Sequence, residues 1–348
     1  MRSVKNHAVT EVIGVILVFT IVSSVVSATM FWAKDHLENE KMGSSVASAI
    51  NQFDQIDDAL SDMISQGVNS SRVVNFVTDA GYVHLGSSGT RFVIFYSLIQ
   101  GTGNLGFDFN VSGFDDDNDY TFAIDLVKGE ITSFNITWLN NGSIQNKEQR
   151  LSAPESDIVS ANFSLVDAVK IDIKNYTECV GRIWLFDVGF LSYKTSTRYT
   201  ATQVIVENGA VVSSRPYNHV LMDEPTIHYY KEFWCSHCVP GRWYYGMSMR
   251  IIQLKPDSET TVGPGPGSYR FIMRLNSIDI RDIQYRVHGC ELKIRIQVFG
   301  DHADAWKQYF KFRYGFQNYD GKTLKTRPAT LESFTLIHSI CNIDLEII

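Results

Sequence analysis

Cys235-Ser236-His237-Cys238 is the densest grouping of metal-ligating side chains in this sequence. Two thiols at that spacing supply half of a tetrahedral zinc site, with Cys290, Cys341 or His228 to complete it. No second Cys-x-x-Cys follows, so metal at Cys235 and Cys238 rests on a half-set, and no cofactor is expected. The five cysteines, Cys179, Cys235, Cys238, Cys290 and Cys341, are also candidates to pair with one another. In an oxidising compartment they form disulfides, and an odd count leaves one thiol over. No βαβ pattern surrounds the Cys-x-x-Cys pair, which leaves a thioredoxin-type role the weakest of the three readings.

Three other constellations fare differently. Asp115-Asp116-Asp117-Asn118-Asp119 alternates carboxylates as a calcium loop does, but Tyr120 stands where such a loop needs Gly and Leu126 where it needs a bidentate Glu. A solvated hairpin turn is the better reading. Gly263-Pro264-Gly265-Pro266-Gly267-Ser268 lacks the Gly-Lys-Ser/Thr ending of a phosphate loop, and its prolines remove amide donors, so it reads as a connector. Six Asn-x-Ser/Thr sequons, at Asn69, Asn110, Asn135, Asn141, Asn162 and Asn175, all fall in the first half of the chain. They mark candidate glycosylation sites on exposed loops of an exported protein. The nine histidines are scattered and no Gly-x-Ser-x-Gly elbow occurs, so no catalytic residue is assigned.

What must position these groups begins with a long apolar run. From Val12 to Ala33 the chain goes 22 residues without a charge, and as a helix that covers roughly 33 Å, the thickness of a bilayer's hydrocarbon core. Helical spacing continues through Val46, Ile50, Phe53, Ile56, Leu60 and Met63, with Gly43-Ser44-Ser45 as a point where the helix bends or breaks and Gly67 as its stop. That second half shows one apolar face, which the rest of the chain must cover.

The remainder reads as strands. Runs rich in β-branched and aromatic residues lie at 72–77, 91–98, 106–111, 120–126, 131–139, 169–173, 182–191, 202–206, 243–252, 268–275, 280–287, 291–299, 331–338 and 340–348. Asp301 is placed to cap one short helix through Ala305, Trp306, Tyr309 and Phe310. The expected fold is therefore α+β: a long N-terminal hydrophobic helix followed by a mainly antiparallel β-sandwich ectodomain, either single or two stacked sandwiches divided near 200–215. The segments are 1–8, 9–66, 67–207 with the sequons, and 208–348 with the short helix. The net charge of −7 conceals 15 Lys and Arg against 8 Asp and Glu in residues 242–327. That excess either decorates exposed strand faces or forms a basic face for glycans, lipid headgroups or an acidic neighbour; nucleic acid is not an expected partner.

Three fates are open to the apolar run. Arg2 and Lys5 with Val26-Ser27-Ala28 fit a secretory signal peptide cut before Thr29, or the run stays as an uncleaved anchor. The third follows from Lys5-Asn6-His7-Ala8-Val9-Thr10-Glu11-Val12-Ile13-Gly14, which resembles the start of archaeal type IV pilins and archaellin-like proteins. That family commonly has Ser-Pro where Thr10-Glu11 stands and Arg or Lys where His7 stands. Asn208-Gly209-Ala210-Val211-Val212, Gly263 to Arg270 and Ala305-Trp306-Lys307-Gln308-Tyr309-Phe310 are similar to segments of pilin-like surface proteins with large β ectodomains.

The resemblance implies a class III leader removed by a prepilin-type peptidase between Ala8 and Val9, and a retained helix that packs among other pilin-like subunits. Glu11 would then pair with a neighbour's new amino group, since a carboxylate near lipid is costly unless paired. It implies a minor or tip component of a surface filament, an adhesin exposed outside the membrane that Val12 to Ala33 enters. An uncleaved membrane-anchored glycan- or protein-binding protein is the alternative, and an anchored surface hydrolase the third reading.

Overall fold

The computed structural model describes residues 4–78, 81–100, 108–114, 119–125, 133–140, 143–150, 158–164, 168–175, 178–195, 202–215, 218–234, 242–263, 265–284, 290–318, 323–325 and 333–348. The chain divides into two units, Met1–Ala49 and Ile50–Ile348. It is α+β, with an apolar leading helix and a β-rich second unit, as the periodicities predict.

Helix α1 (Val4–Gln66) runs 63 residues without interruption. The helix does not break at Gly43-Ser44-Ser45, where Ser45 Oγ donates back to the Lys41 carbonyl at 2.9 Å. One glycine costs a helix only about 1 kcal/mol, too little to break one this long. The helix ends where its sequence says it should: Gly67 adopts φ 94° and its N–H closes on Met63 O at 3.0 Å.

The strands follow as β1 (Ser71–Thr78), β2 (Tyr82–Gly86), β3 (Arg91–Gln100), β4 (Asp108–Phe114), β5 (Asp119–Asp125), β6 (Ser133–Asn140), β7 (Ser143–Arg150) and β8 (Ile158–Ser164). Next come β9 (Ala168–Asn175), β10 (Glu178–Asp187), β11 (Phe190–Lys194), β12 (Gln203–Glu207), β13 (Ala210–Arg215), β14 (Asn218–Asp223) and β15 (Ile227–Trp234). The last are β16 (Arg242–Pro256), β17 (Thr260–Val262), β18 (Gly267–Gln284), β19 (Cys290–Phe299), helix α2 (Ala303–Tyr314), β20 (Gln317–Asn318), β21 (Thr323–Lys325) and β22 (Ser333–Ile347).

They form a five-stranded sheet ordered β1-β18-β22-β16-β15, an eight-stranded one ordered β20-β21-β19-β3-β10-β9-β6-β7, a six-stranded one ordered β14-β13-β12-β11-β2-β17, and a three-stranded β4-β5-β8. The division near 200–215 is not a domain boundary. Strands from before and after it share each of the three larger sheets, and residues 207 and 208 sit at the tip of one hairpin. There Glu207 pairs with Ala210, while Asn208 and Gly209 take φ 50° and 67°, the left-handed pair that an Asn-Gly turn favours.

Two further expectations are corrected. No turn separates the run at 268–275 from the one that starts at 280: β18 continues to Gln284 with a bulge at Asn276 and Ser277, and β22, Ser333–Ile347, likewise runs through the break between the two closing runs. β22 also lies parallel to β16 while antiparallel to β18, so the sheet is mixed.

The residues of α1 from Ile50 onward belong to the second unit's core. Phe53 stacks on Phe76 of β1 with ring centroids 5.0 Å apart, and Phe76 meets Phe271 of β18 and Tyr193 of β11 at 5.9 and 6.0 Å. The helix therefore seats where the five- and six-stranded sheets approach each other. Gln52 fixes its height: its side-chain amide donates to Val77 O at 3.0 Å and accepts from Val77 N at 2.6 Å, closing the edge of β1 at that point. On the other flank α2 packs Trp306, Tyr309 and Phe310 into a core shared with β3, β10, β16 and β19. Asp301 does not cap that helix. His302 occupies the position, without a side-chain bond to the helix, and Gly315, left-handed at φ 67°, ends it, with its own N–H on Lys311 O and the Phe316 N–H on Phe310 O.

Candidate functional site

The feature with the plainest functional chemistry lies in the first unit. Ile13–Lys34 has a mean hydropathy of 2.3 over 22 residues, and none of it is covered by protein. Its large apolar side chains, from Ile13 to Trp32, are each 50–73% exposed. Three of the hydroxyls inside this stretch bond to their own helix: Thr20, Ser24 and Thr29 donate to the carbonyls of Ile16, Thr20 and Val25 four residues earlier, at 2.8, 2.8 and 2.7 Å. Such back-bonding satisfies those three donors without water, as a helix in hydrocarbon requires. At its lower end Trp32 stacks on His36, 5.4 Å between centroids, an aromatic–polar pairing suited to a membrane–water boundary.

Ala8 and Val9, the expected cleavage pair, and Glu11 are helical in backbone, and the expected pairing of Glu11 lies outside the described side chains. Among the described sequon asparagines, Asn69 alone is found in an exposed turn, at φ 71°, with its N–H held by Leu275 O at 2.9 Å. Asn110, Asn135, Asn162 and Asn175 lie in strands β4, β6, β8 and β9 rather than in loops, and Asn141 lies outside the described residues. β6 is bonded on both sides, to β7 and β9. The sequon pattern is local and carries no information on whether its Asn joins a ladder.

The cysteines do not come together as a described site. Cys235 and Cys238 lie outside the described residues, in the connection between β15 and β16, whose strands pair up to Trp234 and Arg242. Cys179 and Cys290 contribute backbone to β10 and β19. Cys341, expected to pair, is instead a free thiol, buried in β22, and burial pushes it up to about 12. A thiol held protonated is inert as a nucleophile and as a metal ligand. Among the described residues no three His, Cys, Asp or Glu side chains are placed to hold a metal ion. Residues 115–118 of the acidic run lie outside the described residues, between β4 and β5, which pair as a hairpin.

Sequence reasoning missed a buried carboxylate. Glu207, at the end of β12, is 0% exposed. Its Oε1 accepts from Thr90 Oγ1 at 2.8 Å and from Trp306 Nε1 at 2.6 Å, and its Oε2 lies 3.3 Å from His302 Nδ1. Burial alone would lower His302, but the hydrogen bond and charge of Glu207, with Asp301 beyond, more than reverse it and raise it above the ordinary value. The carboxylate has no opening to a substrate; it ties the β2–β3 connection, the six-stranded sheet and the start of α2 together. The signal was a lone acid between Val204-Ile205-Val206 and an Asn-Gly turn. The same knot brings together two segments noted in the sequence: Ala305 packs on Ile205 and Val212.

One small cleft, about 80 Å³, is lined by Asp257, Ile272, Arg274, Asn276, Asn342 and Asp344 on the outer face of the five-stranded sheet. Its lining is mainly polar, and Asn342 Nδ2 within it donates to Asp257 Oδ1 at 3.4 Å. No family model matches the chain, and neither does any curated protein or any solved structure.

Proposed function

We propose that this chain is a membrane-held, pilin-like surface protein whose leading helix stays on the mature molecule and serves as its packing surface. The observation that carries this reading is the pairing, within one unbroken helix, of an uncovered apolar stretch 22 residues long with a second half that the β unit buries. Retention is favoured over removal as a signal peptide for a physical reason. A cut before Thr29 would leave Met30, Phe31 and Trp32, all strongly exposed, as a bare apolar terminus with nothing to cover them. Trimming between Ala8 and Val9 would instead remove Arg2 and Lys5 and leave the apolar helix whole, free to bundle with like helices outside or within lipid. Glu11 at its head would then be matched by a neighbour's amino terminus.

The test is the N-terminal sequence of the chain extracted from its membrane. It begins at Val9 on this reading; a start at Met1 makes the chain an uncleaved anchor, and a start at Thr29 an exported protein without the helix. Glu11→Ala should lower incorporation into filaments at unchanged membrane insertion, and equal incorporation would remove the pairing.

A further inference from the structure

Among the described residues of helix α1, Asp57 is the one acid buried as a whole, although the half-exposed Asp54 also turns an unpartnered Oδ1 inward. Asp57 sits between Ile56 and Leu60 and is 9% exposed, and its Oδ1 has neither a hydrogen-bond partner nor contact with solvent. Opposite it is the Asn208–Gly209 turn. A Cβ on Gly209 would stand 3.5 Å from that oxygen and 3.1 Å from Ile252 Cδ1, so the turn lies within van der Waals reach of the helix, and its tighter contact is with β16. Asn208 is held in place by Ile252 N–H, which donates to its Oδ1 at 2.8 Å, but its Nδ2 is buried without a partner. Arg250 on β16 faces the same spot with its Nε also buried and unpartnered.

The charges around Asp57 are unbalanced. Asp54 and Asp58 flank it on α1, Asp223 faces it from β14, and Arg250 opposes them from β16; the turn itself brings no charge. An ionised Asp57 thus loses its hydration, gains no bond to Oδ1 and meets three like charges against one cation. A protonated one avoids each of these costs and gains a donor. Burial first, then Asp223, Asp58 and Asp54, raise it to about 7 against the pull of Arg250.

We propose that Asp57 is a proton latch: with its proton on, residues 50–66 seat against the Asn208–Gly209 turn, and loss of that proton loosens the seat. The latch lies wholly in the second unit, so it stands whether or not the leader is trimmed. The seated helix binds a proton that the opened one, with an ordinary carboxyl, does not. Raising pH from the carboxylate range to neutrality therefore favours opening, and above neutrality both states are ionised and the dependence ends.

Amide hydrogen exchange on the full chain in lipid nanodiscs, corrected for intrinsic rates, reads this directly. Opening of residues 50–66 should rise about 50-fold between pH 5 and pH 7 and level off at about 100-fold above pH 8, while amides of β16 and β22 change far less. Asp57→Asn, neutral at every pH, should hold the segment closed throughout. Arg250→Gln, by removing the one cation, should move the levelling point to higher pH. A wild-type profile flat in pH, a D57N profile like the wild type's, or equal changes in β16 and β22 would each overturn the latch.

Discussion

The two halves of α1 share a backbone and differ in solvent. Between Ile13 and Trp32 apolar side chains surround the helix on all sides, and every large one is at least half exposed. Between Phe53 and Met63 they recur at steps of three and four, and Phe53, Ile56, Leu60 and Met63 are 0–1% exposed, with Gln55, Asp58 and Asp62 on the open side. An apolar stripe needs one apolar neighbour, which the sheets supply; an apolar cylinder needs an apolar medium. The pattern of side chains, not the helix itself, decides which medium each half is built for.

The largest break in that comparison is Phe53→Ala. It should cost the second unit about 3–5 kcal/mol, from lost burial and the cavity left against Phe76. Phe19→Ala, the same change in the uncovered half, should leave the denaturation midpoint of the β unit where it was. Equal losses at the two positions would mean that the halves are not built for different surroundings.

Next in size is the one charge in the buried stripe. A rise of Asp57 from 3.8 to about 7 corresponds to roughly 4 kcal/mol of stability. Because the folded state holds the proton, that stability is present in full near pH 4 and is lost as pH climbs to about 7. Chemical denaturation of the full chain at pH 5 and pH 8 should show the loss, and Asp57→Asn should abolish most of it. The uncovered half has no titrating side chain between Ile13 and Ala33, so its membrane partitioning should not follow the same curve.

Val18→Lys inverts the comparison by placing a charge in the middle of the apolar cylinder. Insertion of the helix should weaken by about 3 kcal/mol, read as the fraction of chain recovered with membranes, at unchanged stability of the β unit.

How much of this could be read from residues alone divides along the same line. The apolar run, the stripe from Phe53 to Met63 and the stop at Gly67 depend on neighbours within four residues, and each was legible. Even within the stripe, the outermost members Val46 and Ile50 are only half-buried. The sheets depend on partners far along the chain. Nothing local tells β16 that β22 will lie parallel to it, or that Asn276 and Ser277 will bulge rather than turn. Glu207 looks like a surface acid until Thr90, His302 and Trp306 converge on it. Cys341 resembled its four counterparts in sequence and differs from a disulfide partner only in where β22 buries it.

The smallest effect tests the seam between the halves. Gly43 lies in the helix with nothing within 4 Å of where a Cβ would stand, and its conformation is one any residue adopts. If the helix is continuous there because propensity and length outweigh one glycine, Gly43→Ala should stabilise it by about 0.5–1 kcal/mol. Hydrogen exchange at residues 43–47 should then slow by roughly 2- to 5-fold, with the membrane fraction and the β unit unaffected. A glycine serving as a hinge would behave otherwise: alanine would stiffen a joint that function needs, and filament incorporation would fall while exchange slowed. The two outcomes separate a helix that merely tolerates Gly43 from one that uses it.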